Sequence, residues 1–119
     1  PLYHAALAHG ANYLVTIVRD CVDLLERQGI RPAERLIAPL LSAALDNALR
    51  HGDRALTGPV ARGDAGTVRA HLAELNRVDP DLAHVYRVLA ERTAHRAAAA
   101  RLLPEHAMQE VLTTLREDR

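Results

Sequence analysis

The spacing of apolar residues divides the chain into five helical patterns. The first runs from about Leu2 to Gln28 and stops at Gly29, a natural residue for the left-handed turn that ends a helix. Leu7, Leu14, Val18, Cys21 and Leu25 mark its apolar side. His9, Asn12, Thr16, Asp20, Asp23 and Arg27 fall within roughly 80° of arc. Its N-terminal half has no formal charge, so burial on most sides is expected, inside the domain or against a partner. A second helix follows Pro32, which suits a first helical position, and runs to about His51 before Gly52. Pro39 is expected to kink it or to mark a late start. Leu36, Ile37, Leu40, Ala44 and Ala48 define its expected buried face, and Asn47 and His51 project within about 20° of Leu40. An amide buried there must be hydrogen-bonded or line a wet pocket, since leaving it unpaired costs roughly 1–3 kcal/mol.

A loop is expected from Gly52 to Gly63. Asp64 then caps a third helix whose inner face is Val68, Leu72 and Leu75. Asp79 as cap and Pro80 at the first position start a fourth helix, reaching about Leu103. Its apolar line is Leu82, Tyr86, Leu89, Thr93, Ala97 and Ala100. Pro104 opens the last helix, with Met108, Val111, Leu112 and Leu115 inward.

Composition supports the same class. With 22 Ala and 19 Leu but no Phe or Trp, the core must be built from small and aliphatic side chains, which favours close-packed helices over a sandwich. The 119 residues are read as one helical domain, 1–119, with a modest core. Fifteen basic residues balance fifteen acidic ones, leaving no electrostatic footprint for nucleic acid. All the basic residues are Arg, which excludes a Schiff-base lysine, a P-loop lysine and a lysine general base from this chain. The single Cys21 cannot form an internal disulfide and fits a reducing, cytoplasmic setting. The uncharged run from His4 to Val18 is too short and too polar to cross a membrane. The chain opens on Pro1 directly in helical pattern, and is read as the C-terminal part of something longer.

The segment ALTGPVARGDAGTV, Ala55 to Val68, invites several chemistries. Gly58 to Gly63 has the glycine spacing of a phosphate-binding loop, but Asp64 stands where the lysine must be and would repel phosphates. Arg62-Gly63-Asp64 matches an adhesion tripeptide, yet its aspartate is better explained as a helix cap. Metal binding is not expected. His4 and His9 sit about 140° apart on a helix, and His84 and His95 about 16 Å apart along the axis. Ser42 lies on a polar helix side, and Cys21 on an apolar one reads as an inert thiol. What remains is a group of polar residues: His4 and Asn12, Asn47 and His51, and the Thr57–Asp64 loop. Read from the residues alone, it is either a set of satisfied polar groups beside a capped loop, or a site.

The segments YHAALAHGANYL (Tyr3–Leu14), ALDNALRHGDRALTGPVARGDAGTVRAHL (Ala44–Leu72) and VYRVLAERTAHRA (Val85–Ala97) resemble the C-terminal domain of a Rossmann-like oxidoreductase family, domain of unknown function 2520. The resemblance implies an all-α bundle similar to the C-terminal domains of 6-phosphogluconate and β-hydroxyacid dehydrogenases, ketopantoate reductase and pyrroline-5-carboxylate reductase. It also implies an N-terminal Rossmann domain binding NAD(P), a homodimer formed through helical faces, and a small-molecule substrate. His4 and Asn12 are then candidate catalytic residues; Asn47, Thr57, Gly58, Pro59, Arg62 and Asp64 are candidate substrate-binding residues. Asn12 would orient a substrate oxygen, His4 would exchange a proton, and Arg62 would clamp a carboxylate. β-Hydroxyacid dehydrogenases carry a catalytic Lys one turn before the cleft Asn, where this chain has Ala8. Without a GxGxxG loop, this chain alone is not expected to bind the cofactor or transfer hydride. The alternative is a non-catalytic helical binding or scaffolding module.

Overall fold

The computed structural model describes residues 1–117 and is all-α among them, with five principal helices, as the patterns require. The chain forms two compact units, Pro1–Ala43 and Ala44–Arg119.

The first unit opens on α1 (Leu2–Leu7), which passes through a π-helical turn (Ala8–Asn12) into α2 (Tyr13–Arg27). The wider π turn means that 100° per residue does not hold across Ala8–Asn12, so the expected single polar arc from His9 to Arg27 is broken there. Gly29 ends the run with φ +83°, the left-handed conformation that its missing Cβ permits. α3 (Ala33–His51) follows, and Pro39 sits inside it as a continuous helix rather than at a late start. The core here is small: Val22, Ala33 and Ile37, flanked by Cys21, Leu25 and Leu41.

Two expectations are corrected in this part of the chain. The uncharged half of the first run is exposed, with Leu2 at 83% and Tyr3 at 74%, because α3 covers only the C-terminal turns of α2. The buried line of α3 is Ala33, Ile37 and the half-buried Leu41, one i, i+4, i+8 row, of which Ile37 belongs to the expected face. Leu36, Leu40, Ala44 and Ala48 are exposed, and so are Asn47 and His51. The helix period marked a face correctly in form, but the turn of α2 that it meets selects an adjacent one. Asn47 therefore stays in water and needs no buried partner.

The second unit contains a 3-10 turn (Gly52–Ala55), then α4 (Gly58–Ala61), α5 (Ala65–Val78), α6 (Pro80–Ala99) and α7 (Glu105–Arg116). The expected loop from Gly52 to Gly63 is thus largely two short helical turns. α5, α6 and α7 contact one another pairwise around a core that includes Val68, Leu72, Ala90, Ala94, Val111 and Leu115. Met108, Val111, Leu112 and Leu115 face inward as expected. On α6 the buried row is Ala83, Arg87, Ala90, Ala94 and Ala97; of the expected line Leu82, Tyr86, Leu89, Thr93, Ala97 and Ala100, Ala97 is buried as expected and the earlier members lie one position away. Alanine wins that face because it lets α6 approach both neighbours closely; the larger Leu89 is left 40% exposed. α6 also stops short of Leu103: Arg101 turns left-handed at φ 63°, and the Leu102 N–H donates back to the Ala97 carbonyl at 2.9 Å. This reversal folds Leu103 into the core. Among the described residues, no helix is long and apolar enough to cross a membrane.

Overpacking tests the alanine row. Ala94→Leu should destabilise the fold by about 1–3 kcal/mol, and Leu115→Ala by about 2–5 kcal/mol, measured by urea denaturation.

Candidate functional site

The Thr57–Asp64 segment is held by local bonds. The backbone N–H of Arg62 donates to the Gly58 carbonyl at 3.1 Å, that of Gly63 to Val60 at 3.0 Å, and that of Asp64 to Pro59 at 2.8 Å. Gly63 adopts φ +73°, and a Cβ there would lie 3.0 Å from the Cβ of Ala107 and 3.1 Å from Cδ1 of Leu103. Glycine is required at this point both by backbone sterics and by the closeness of the α7 side. Asp64 caps α5 as expected. Its Oδ1 accepts the Thr67 N–H at 3.1 Å and its Oδ2 accepts the Thr67 hydroxyl at 2.7 Å. These two bonds, the hydroxyl one first, hold the Asp64 carboxyl below the ordinary carboxylate range; the charges of Arg62 and His71 add less. Ahead of the segment, Arg96 pins the 3-10 turn to α6 through a 3.0 Å ion pair with Asp53.

This segment forms one bank of a groove of about 300 Å³. Thr57, Pro59 and Val60 line it on one side; His71 of α5 and Tyr86, Leu89, Ala90 and Thr93 of α6 complete it. Its lining is mainly apolar, with polar groups at few points, the usual make-up of a small-molecule site. His71 Nδ1 and the Tyr86 hydroxyl lie 3.0 Å apart, with the two rings edge to face at 5.9 Å and 86°. Burial raises the Tyr86 hydroxyl above the ordinary tyrosine range, so it remains a neutral phenol, able to donate or accept, at physiological pH. The Thr93 hydroxyl donates to the Leu89 carbonyl at 2.8 Å, leaving its lone pairs toward other donors. Thr57 does not use its side chain to cap α4. The groove thus offers one hydrogen-bonded imidazole–phenol pair in an apolar setting, able to bind a substrate oxygen and to relay a proton.

The expected site residues separate into two sets. His4 and Asn12 belong to the first unit, both exposed, with the His4 ring beside that of Tyr3 at 6.0 Å and Asn12 closing the π turn. Asn47, Thr57, Gly58, Pro59, Arg62 and Asp64 belong to the second. Of these, Thr57 and Pro59 line the groove. Gly58 starts α4 at φ +91°, Arg62 is exposed at its end, and Asp64 is spent on its cap. Asn47 does not line the groove. His71 and Tyr86 were not singled out by the sequence. One signal was present: Asp64 and His71 are seven residues apart, two turns of one helix face. Tyr86 was placed on an apolar line, where its hydroxyl needed a partner. Among the described residues, no group of three or more His, Cys, Asp or Glu side chains is placed to hold a metal ion.

The family model described as Domain of unknown function (DUF2520) matches residues 1–93, and the chain belongs to this family. No curated protein and no solved structure matches it.

The Asp64 cap has a defined pH signature. Its depressed carboxyl contributes stability that is present above the unfolded value of about 3.9 and is lost as pH falls through the lower folded value. Asp64→Asn keeps a capping oxygen but removes the titration. Wild type should melt a few degrees above this variant at pH 7, and the gap should narrow as pH falls below the ordinary carboxylate range, as followed by circular dichroism.

Proposed function

From its membership of the domain of unknown function 2520 family, we propose that this chain is the helical substrate-binding and dimerisation domain of a cytoplasmic NAD(P)-dependent oxidoreductase. The observation that carries the reading is the groove beside Thr57 and Pro59, with its His71–Tyr86 pair. A small substrate with an apolar body and one oxygen function matches that lining. The body would lie against Val60, Leu89 and Ala90, and the oxygen would meet the imidazole–phenol pair. Tyr86 holds or passes a proton at its hydroxyl, and His71 Nδ1 takes the complementary role. Arg62 would supply a cation for a substrate carboxylate, and His4 and Asn12 are assigned to the substrate by the resemblance alone.

The residues described here do not fit the dinucleotide itself. The one glycine-flanked helix start that resembles a phosphate loop, at α5, is filled by the Asp64 carboxylate, and a pyrophosphate would be repelled there. The cofactor therefore belongs to a separate nucleotide-binding domain in this reading, and hydride transfer is not assigned to any group of this chain.

Dimerisation is supported by the exposed apolar residues of the first helical run, Leu2, Tyr3, Leu7, Leu14 and Ile17. So many large apolar side chains on one uncharged stretch suit a helix-to-helix interface. Sedimentation should show a dimer that Leu7→Glu with Leu14→Glu converts to monomer; a monomer at high concentration in the wild type would remove the dimer from the proposal.

Binding is tested on the full-length protein by thermal shift against a metabolite library, with and without NAD or NADP. Tyr86→Phe and Arg62→Ala should each weaken the stabilising metabolite at least tenfold, and Asn12→Ala should do the same if the resemblance carries over. Unchanged binding in Tyr86→Phe and Arg62→Ala would favour the binding or scaffolding module instead.

A further inference from the structure

Arg87 is the exception in the alanine row of α6. It is only 9% exposed, and its Nε is buried without a hydrogen-bond partner. Among the described residues no carboxylate forms an ion pair with it. Glu91, one turn further along α6, pairs with Arg116 at 3.3 Å. An arginine guanidinium is always charged in proteins, and burying one without a counter-charge is costly. Such a group calls for an anion.

The side chain of Arg87 lines a cavity of about 60 Å³ between α5, α6 and α7. Arg69, Asn76, Thr114 and Glu117 supply the rest of its polar lining. A water centre needs about 10–15 Å³, so the space admits a small group of oxygen-sized centres rather than a single water. Two guanidiniums face one carboxylate here. Glu117 spends both oxygens on Arg69, at 3.0 Å to Nε and 3.1 Å to Nη2, and Arg69 Nη2 also donates to the Thr114 hydroxyl at 3.2 Å. Arg69 is thereby compensated and Arg87 is not, which leaves the cavity lining one positive charge in excess. Asn76 brings an amide with two further donors. The cavity is separate from the groove: Arg87 and Tyr86 are adjacent on α6, about 100° apart around its axis, as are Leu72 and His71 on α5.

We infer that the Arg87 cavity is a binding site for a small oxyanion, a phosphate or carboxylate group, held by the Arg87 guanidinium and the Asn76 amide beside the Arg69–Glu117 pair. Charge-assisted bonds from a buried guanidinium supply the affinity, and planar recognition of two oxygens supplies the selectivity over chloride. Glu117 limits the affinity, because its charge lies on the same lining.

The test is a titration of the whole chain at constant ionic strength, with inorganic phosphate and acetate as separate probes and sodium chloride as control. The readout is the Arg Nε–H region of the nitrogen–proton NMR spectrum. One buried Arg signal, assigned by its loss in Arg87→Met, should shift saturably with phosphate, acetate or both, and the stronger probe identifies the source of the oxyanion. Asn76→Leu should weaken binding several-fold and Glu117→Gln should tighten it. If Arg87→Met does not fold, the Asn76→Leu and Glu117→Gln pair decides the matter alone. No saturable shift with either probe, or affinities unmoved by both of those variants, overturns the site.

Discussion

Ala83, Ala90, Ala94 and Ala97 put almost no side-chain volume on the inner face of α6, so its backbone can lie close to α5 and α7 at once. The packing of the second unit's core follows from that approach. Leucines on α7 and Val68 and Leu72 on α5 reach across to fill the space that alanine leaves, and an aromatic-free core becomes possible. The same closeness excludes a Cβ at Gly63, whose backbone comes within contact of Ala107 and Leu103. It also forces the bulkier residues of α6, Tyr86, Leu89 and Thr93, onto the flank, where they line the groove.

The two polar features of the unit are consequences of the same geometry, one beside that row and one within it. On one side, Tyr86 is close enough to α5 for its hydroxyl to meet His71, and partial burial keeps it a neutral phenol. Within the row, Arg87 takes the place that the alanine pattern would reserve for a small residue, and its side chain lines a cavity. A long cation is tolerated in a small-residue row only because the neighbouring helices leave that space. The Asp64 cap and the Asp53–Arg96 pair fix the short turns before α5 locally, and Val60 and Ala61, buried in the core, anchor the bank that carries Thr57 and Pro59.

The first unit is held by much less. Three buried residues join α2 to α3, while the uncharged run from Leu2 onward carries its apolar side chains in the open. A helix of that composition, with a π turn in its middle, is a surface in want of cover. His4 and Asn12 sit on that run, both exposed.

Local bonding explains what could be read in advance. Asp64 and Asp79 accept backbone N–H groups two or three residues ahead, Gly29 and Gly52 take left-handed turns, and Pro80 stands at a first helical position, all within one turn of chain. Those interactions involve no distant residue, so the helical class, the starts of α5, α6 and α7, and the capping role of Asp64 were legible in the sequence. The buried face of a helix is a different matter. Leu36 and Leu40 on α3 and Leu82 and Leu89 on α6 are as apolar as the residues that are buried, and the choice rests on which neighbour can approach which side. On both helices the true row lies one position away from most of the expected one, sharing only Ile37 on α3 and Ala97 on α6, and Asn47 lies in solvent. The His71–Tyr86 pair and the isolation of Arg87 depend on that choice too. The sequence by itself determined where helices begin and that they are helices, because caps and periodicity are local; only the tertiary structure decided which faces meet, because close packing is a property of pairs of surfaces.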